Sequence, residues 1–153
     1  QPRRRGGAGR LVSLPAALLA LGGALSFLVG AITGFWLQAW MRRNPGAGPH
    51  RYRMVAHKEA LWSSFLCFGL AGWIDKLPIP PWAQLILAAA MVGTGWFATL
   101  QYVFVARVGL TDAVNEPSPV AARLCGAAAM AANLVALGGV LLGTTLAVLE
   151  NLK

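Results

Sequence analysis

Ionisable residues are bunched along this chain, and long oily stretches lie between the bunches. No Asp, Glu, Lys or Arg occurs in residues 11–41, 60–74, 77–106 or 124–149. Crossing the hydrocarbon core of a bilayer as a helix takes about 20 apolar residues. Three of the four stretches suffice as they stand. The second is long enough only if its helix begins near Arg53 and carries His57, Lys58 and Glu59 in its first turns. The pattern therefore predicts four spans, at about residues 11–40, 53–74, 82–105 and 120–149. Short connectors make consecutive spans antiparallel, so the expected fold is an all-α, integral membrane four-helix bundle.

The connectors carry the turn chemistry. RRNPGAGPHRYR and RVGLTDAVNEPSP are polar and rich in Pro and Gly, and DKLPIPP is too short for any domain. Pro117 or Pro119 suits the start of the last helix. Residues 1–10, QPRRRGGAGR, read as a flexible basic leader, and residues 11–153 as a single transmembrane domain without internal repeats. In the first span Gly30 and Gly34 form a GxxxG that lets another helix approach closely. Most of the six Trp residues, at 36, 40, 62, 73, 82 and 96, fall near predicted span ends, as in an interfacial aromatic belt.

Composition agrees with this reading. Of the 153 residues, 57% are hydrophobic and 12% charged, and the mean hydropathy is +0.60. A soluble domain carries about 25% charged residues. In a membrane chain, the net charge of +8 places headgroup anchors. Nucleic-acid binding would need a basic face with a readout element, and none is visible. Orientation is undecided, because six basic residues fall on the side of the termini and seven on the other. The first apolar segment is too long for a secretory signal, and the missing initiator Met suggests a trimmed or processed chain. Cys67 and Cys125 lie inside predicted spans without CxxC spacing, so they read as small packing residues.

Ionisable groups inside a membrane are costly and mark candidate sites. His57, within MVAHKEALWSSF, offers an imidazole nitrogen for a metal, and one axial His commonly holds haem iron. The residues alone balance that role against a His at headgroup level bonded to water or Glu59. Ser64 shares the helical face of His57 and Ser63 lies about a third of a turn away; both could instead bond back to their own helix. Glu59 is an acid–base candidate or a complement to the helix dipole. The third span carries Thr94, Thr99, Gln101 and Tyr102 within GTGWFATLQYVF. The Tyr102 phenol could donate to a developing oxyanion or sit in interfacial water. Asn133 reads as helix–helix glue or a pocket residue, glue being the commoner. Asp112, Asn115 and Glu116 read as connector caps, and His50 as a connector residue. Gly93 and Gly95 lack the third glycine and the strand of a dinucleotide site. Neither a nucleophilic triad nor a carboxylate pair is present, so any chemistry would rely on a cofactor.

MVAHKEALWSSF, then GWFATLQYVF, then VGLTDAVNEPSP together resemble the styrene oxide isomerase family. The resemblance covers the second and third spans and the start of the fourth. The matching residues are Ala56-His57, then Gly95-Trp96 with Tyr102 six residues after Trp96, then Gly109-Leu110-Thr111 with Asn115 and Pro119. It implies a small four-helix membrane protein that binds haem b, assembles as a homotrimer and isomerises a small hydrophobic epoxide. The location it implies is a bacterial inner membrane. His57 would be the axial ligand to haem iron. Tyr102 would orient the epoxide oxygen. The family has an Asn six residues after the His, where this chain has Ser63, a weaker substitute for the amide. The implied reaction is Lewis-acid opening of the epoxide and a 1,2-hydride shift to an aldehyde. Two other readings stand beside it: a membrane cytochrome or sensor using His57 with His50 or Met54, and a non-catalytic four-helix scaffold.

Overall fold

A computed structural model describes residues 12–48, 50–110 and 117–152; the basic leader and the cap candidates Asp112, Asn115 and Glu116 lie outside the described residues. Four long helices follow one another: α1 Leu14–Arg43, α2 Arg51–Ala71, α3 Pro81–Arg107 and α4 Val120–Asn151. A 3-10 turn, Ile74–Lys76, links α2 to α3. The helix boundaries follow local chemistry. Ser13 caps α1, its hydroxyl accepting from Ala16 N–H at 3.2 Å. Pro81 occupies the first turn of α3, where its missing N–H costs nothing. Pro119 stands at the N-cap of α4, one of the two prolines expected there. Arg42 and Arg43 close α1, where their charge complements the dipole. After α3 the chain turns at Gly109, whose φ of +75° is unfavourable for a side chain bearing Cβ.

α1, α3 and α4 are each long and apolar enough to cross a membrane. The protein is accordingly an integral membrane protein. α2 is more polar at its start, with Arg51, Arg53, His57, Lys58 and Glu59 in its first nine residues. Its 21 residues still reach about 31 Å at about 1.5 Å per residue.

Adjacent helices run antiparallel, and glycines set their register. Along α1 and α2, Gly23 meets Cys67 and Phe68, Gly30 meets Leu61, and Gly34 meets His57. Along α2 and α3, Ser63 seats on Gly95, and Tyr52 stacks on Tyr102 with ring centroids 6.3 Å apart. Along α3 and α4, Leu87 meets Gly139 and Gln101 meets Gly126. α1 also packs on α3, with Val92 against Gly22. α1, α2 and α3 thus form a three-sided core. α4 packs chiefly along α3 and buries Ala122, Ala129, Ala136 and Gly143. Their seven-residue spacing is that of a coiled-coil seam.

The aromatic belt is partial. Trp36 and Trp40 lie toward the C-terminal end of α1, and Trp73 and Trp82 flank the α2–α3 turn. Trp62 and Trp96 sit near the middles of α2 and α3. Cys67 and Cys125 are free, and Cys67 fills the gap at Gly23.

Candidate functional site

α2 reaches its two neighbours with different faces. His57 and Leu61 face α1. Tyr52 and Ser63 face α3. At about 100° per residue, Ser63 lies about a third of a turn from His57.

The His57 ring rests on the GxxxG of α1. A Cβ at Gly34 would stand 3.0 Å from His57 Cε1 and 3.2 Å from Nδ1, so only glycine leaves the ring its place. His57 Nδ1 lies 2.7 Å from the carbonyl oxygen of Gly30. A carbonyl can only accept, so Nδ1 carries the proton and donates it, which leaves the lone pair on Nε2. This arrangement is common behind metal-bound imidazoles, where a carbonyl fixes tautomer and ring orientation. Nε2 makes no hydrogen bond with any described residue. Among the described residues no group of three or more His, Cys, Asp or Glu side chains could gather a bare metal ion. The donor set is therefore one imidazole, which suits an iron whose other ligands come from a macrocycle.

The other two residues singled out lie at the α2–α3 seam. Ser63 is buried, and its hydroxyl donates to Glu59 O at 2.7 Å, the back-bond common for Ser in an apolar helix. Ser64, on the His57 face, is 0% exposed and its hydroxyl has no partner. Tyr102 is half-buried against Tyr52, and its hydroxyl bonds to no described residue. Beside them His50 stands at the N-cap position of α2 without a side-chain cap bond and meets Trp40 edge-on at 5.4 Å. The Arg53 guanidinium lies 4.2 Å from the centre of the Trp36 ring, within cation–π range.

The polar residues of GTGWFATLQYVF disperse. Thr94 bonds back to Ala90 O, Gln101 faces Gly126 of α4, and Tyr102 faces α2. Thr99 faces a cavity of about 410 Å³ between α1 and α3, shared with Thr33, Trp36, Trp96, Val103 and Arg107. Sequence reasoning had no means of finding this cleft, because its two walls are more than fifty residues apart. Asn133 is exposed on α4 and bonds to no described residue, so within a single chain it glues nothing.

These features define a class: a small all-α membrane protein with one oriented imidazole between two helices that approach closely at glycines. Comparison with known families gives the assignment, since the family model described as styrene oxide isomerase matches residues 15–150. The chain belongs to the styrene oxide isomerase family and is an epoxide isomerase. No curated protein and no solved structure matches it.

Proposed function

We propose that this isomerase is haem b-dependent and converts an aryl or alkenyl epoxide to a carbonyl product through a 1,2-hydride shift, with His57 as the axial ligand. The observation that supports this most is the Gly30 carbonyl on His57 Nδ1, which leaves Nε2 as the ligand nitrogen. Ferric haem b, when bound, supplies Lewis acidity toward the epoxide oxygen. The contribution of the chain is to hold, orient and keep dry. Gly34 and Gly30 fix the plane of the imidazole. Tyr102, with a hydroxyl committed to no described residue, is the proposed donor to the oxygen as its charge grows during ring opening. Ser63 gives its proton to Glu59 O, so it can only accept. With that bond in place it offers the epoxide oxygen no donor, where the family's Asn would offer an amide N–H. The apolar helices keep water from intercepting the cationic carbon.

His57 faces α1, whereas Ser63 faces α3 and Tyr102 faces α2 from α3, so the three are spread around α2 rather than sharing one groove. The homotrimer implied by the resemblance, in a bacterial inner membrane, would offer neighbouring copies to close a site of that shape. The test uses styrene oxide carrying deuterium on its terminal carbon. A 1,2-shift gives phenylacetaldehyde with one deuterium moved to the benzylic carbon. A diol product, or loss of the migrating deuterium to water, would overturn the proposal.

A further inference from the structure

Thr99 is unlike the other described threonines. Thr33, Thr94, Thr144 and Thr145 each donate to the carbonyl four residues earlier, at 2.8–2.9 Å. That back-bond is the usual fate of a hydroxyl in an apolar helix. Thr99 is 3% exposed, yet its hydroxyl makes no hydrogen bond with any described residue. It is not sealed away as the Ser64 hydroxyl is, and it opens on the α1–α3 cavity that it lines. A buried donor left without a partner is costly. Such a group calls for a ligand.

The rest of the cavity specifies that ligand. Its volume of about 410 Å³ falls within the range of small-molecule sites. The indoles of Trp36 and Trp96 offer surfaces for an aromatic ring, and the Arg53 guanidinium against Trp36 holds one of them. Thr33 has its proton committed to Val29 O and Gly30 O. Among the described lining residues the Thr99 hydroxyl is thus the buried aliphatic donor left to spare, beside the indole N–H groups of Trp36 and Trp96, and Arg107 stands at the connector end. A molecule with an aryl group, one acceptor oxygen and no donor complements this lining. A lipid acyl chain has no acceptor for Thr99. On α1 the cavity face of Val29, Thr33 and Trp36 lies about a third of a turn from the Gly30–Gly34 face that holds His57.

We propose that the α1–α3 cleft is a second binding site, separate from His57, that takes an arylalkyl epoxide from the bilayer with its oxygen on the Thr99 hydroxyl. The ligand class rests on the epoxide chemistry of the family and not on haem. The test measures binding to the full chain in lipid nanodiscs by saturation-transfer NMR, with empty nanodiscs subtracted. The probes are acetophenone, which has an acceptor oxygen and nothing to isomerise, and ethylbenzene, which lacks the oxygen. Acetophenone should bind saturably, about five-fold more weakly to Thr99→Val, and not to Val103→Trp, which fills the cleft. His57→Ala should leave that binding in place. Ethylbenzene should not distinguish Thr99→Val from the unmodified chain. Binding indifferent to both cleft variants, as for a cleft that holds lipid only, would overturn the proposal. So would binding lost in His57→Ala and kept in Val103→Trp. A Thr99→Val chain with a lowered Tm would also overturn it, since the hydroxyl would then have a structural partner. Failure of the haem proposal is read separately, in the Soret band, which Thr99→Val leaves unchanged.

Discussion

Replacing Gly34 by Ala probes the packing that orients His57. The added Cβ would stand 3.0 Å from Cε1 and 3.2 Å from Nδ1 of the ring, and ordinary contact begins at about 3.4 Å. The ring must withdraw by a few tenths of an ångström, but its Nδ1 is tied to Gly30 O at 2.7 Å. Two responses are open. If the ring turns, the hydrogen bond goes, at about 0.5–1.5 kcal/mol. If α1 and α2 separate instead, overpacking of this kind costs about 1–3 kcal/mol. The expected loss is about 0.5–3 kcal/mol relative to a Gly→Ala change that meets nothing, which shares the gain of up to about 1 kcal/mol from the better helix propensity of Ala. Gly69→Ala and Gly138→Ala are the controls, because a Cβ at either position meets nothing within 4 Å. Thermal unfolding in one detergent should show Gly34→Ala with a lowered Tm and the two controls unchanged or raised. The Soret absorption of the Gly34→Ala protein should also be weakened or displaced. If Gly34→Ala behaves like Gly138→Ala in both readouts, His57 is not held by α1 as described.

Three further expectations follow from the same packing. Gly95→Ala places a Cβ against Cβ and Oγ of Ser63, so it should destabilise by about 1–3 kcal/mol; Ser63→Gly should restore the loss and Ser63→Ala should not, and equal rescue by both would contradict the geometry. Ser64 is sealed and unpartnered, so Ser64→Ala should leave Tm unchanged or raise it, and a clear fall would reveal a partner for its hydroxyl. Desolvation first, and the Arg53 charge second, hold His50 below its ordinary value of 6.5. The unfolded chain then takes up the His50 proton more readily, so its contribution to stability is intact above about pH 6.5 and declines as pH falls below it. His50→Gln should flatten the acid side of a Tm-versus-pH curve, and an unchanged slope would count against this assignment.

The fold was largely legible in the sequence because the distribution of charge is a local signal that a bilayer enforces. The spans predicted from the charge-free stretches and their flanks match all four helices to within about three residues at each end. The main difference is at the end of α2, which stops at Ala71, while Ile74 belongs to the following 3-10 turn. Gly72 interrupts the helix there, and Asp75, Lys76 and Pro78 cannot prolong an apolar one. The site was legible only residue by residue. His57 stood out as an ionisable group in an oily run, and Gly30 and Gly34 as a place for close approach. That these two features meet each other depends on the register between α1 and α2, which no local pattern encodes. For the same reason Thr94, Thr99, Gln101 and Tyr102, which look like one polar group in the chain, part toward four different surroundings. The exposed Asn133 and the unpartnered Thr99 hydroxyl acquired meaning only once the neighbouring helices were in place.

The proposal that His57 is the axial ligand is tested most directly by the absorption spectrum of purified protein reconstituted with haem b. The unmodified chain should show a Soret band. His57→Gly should lose it while retaining its helical circular dichroism, and added imidazole should restore it. A Soret band of equal strength and position in His57→Gly without imidazole would contradict the assignment of His57 as the axial ligand.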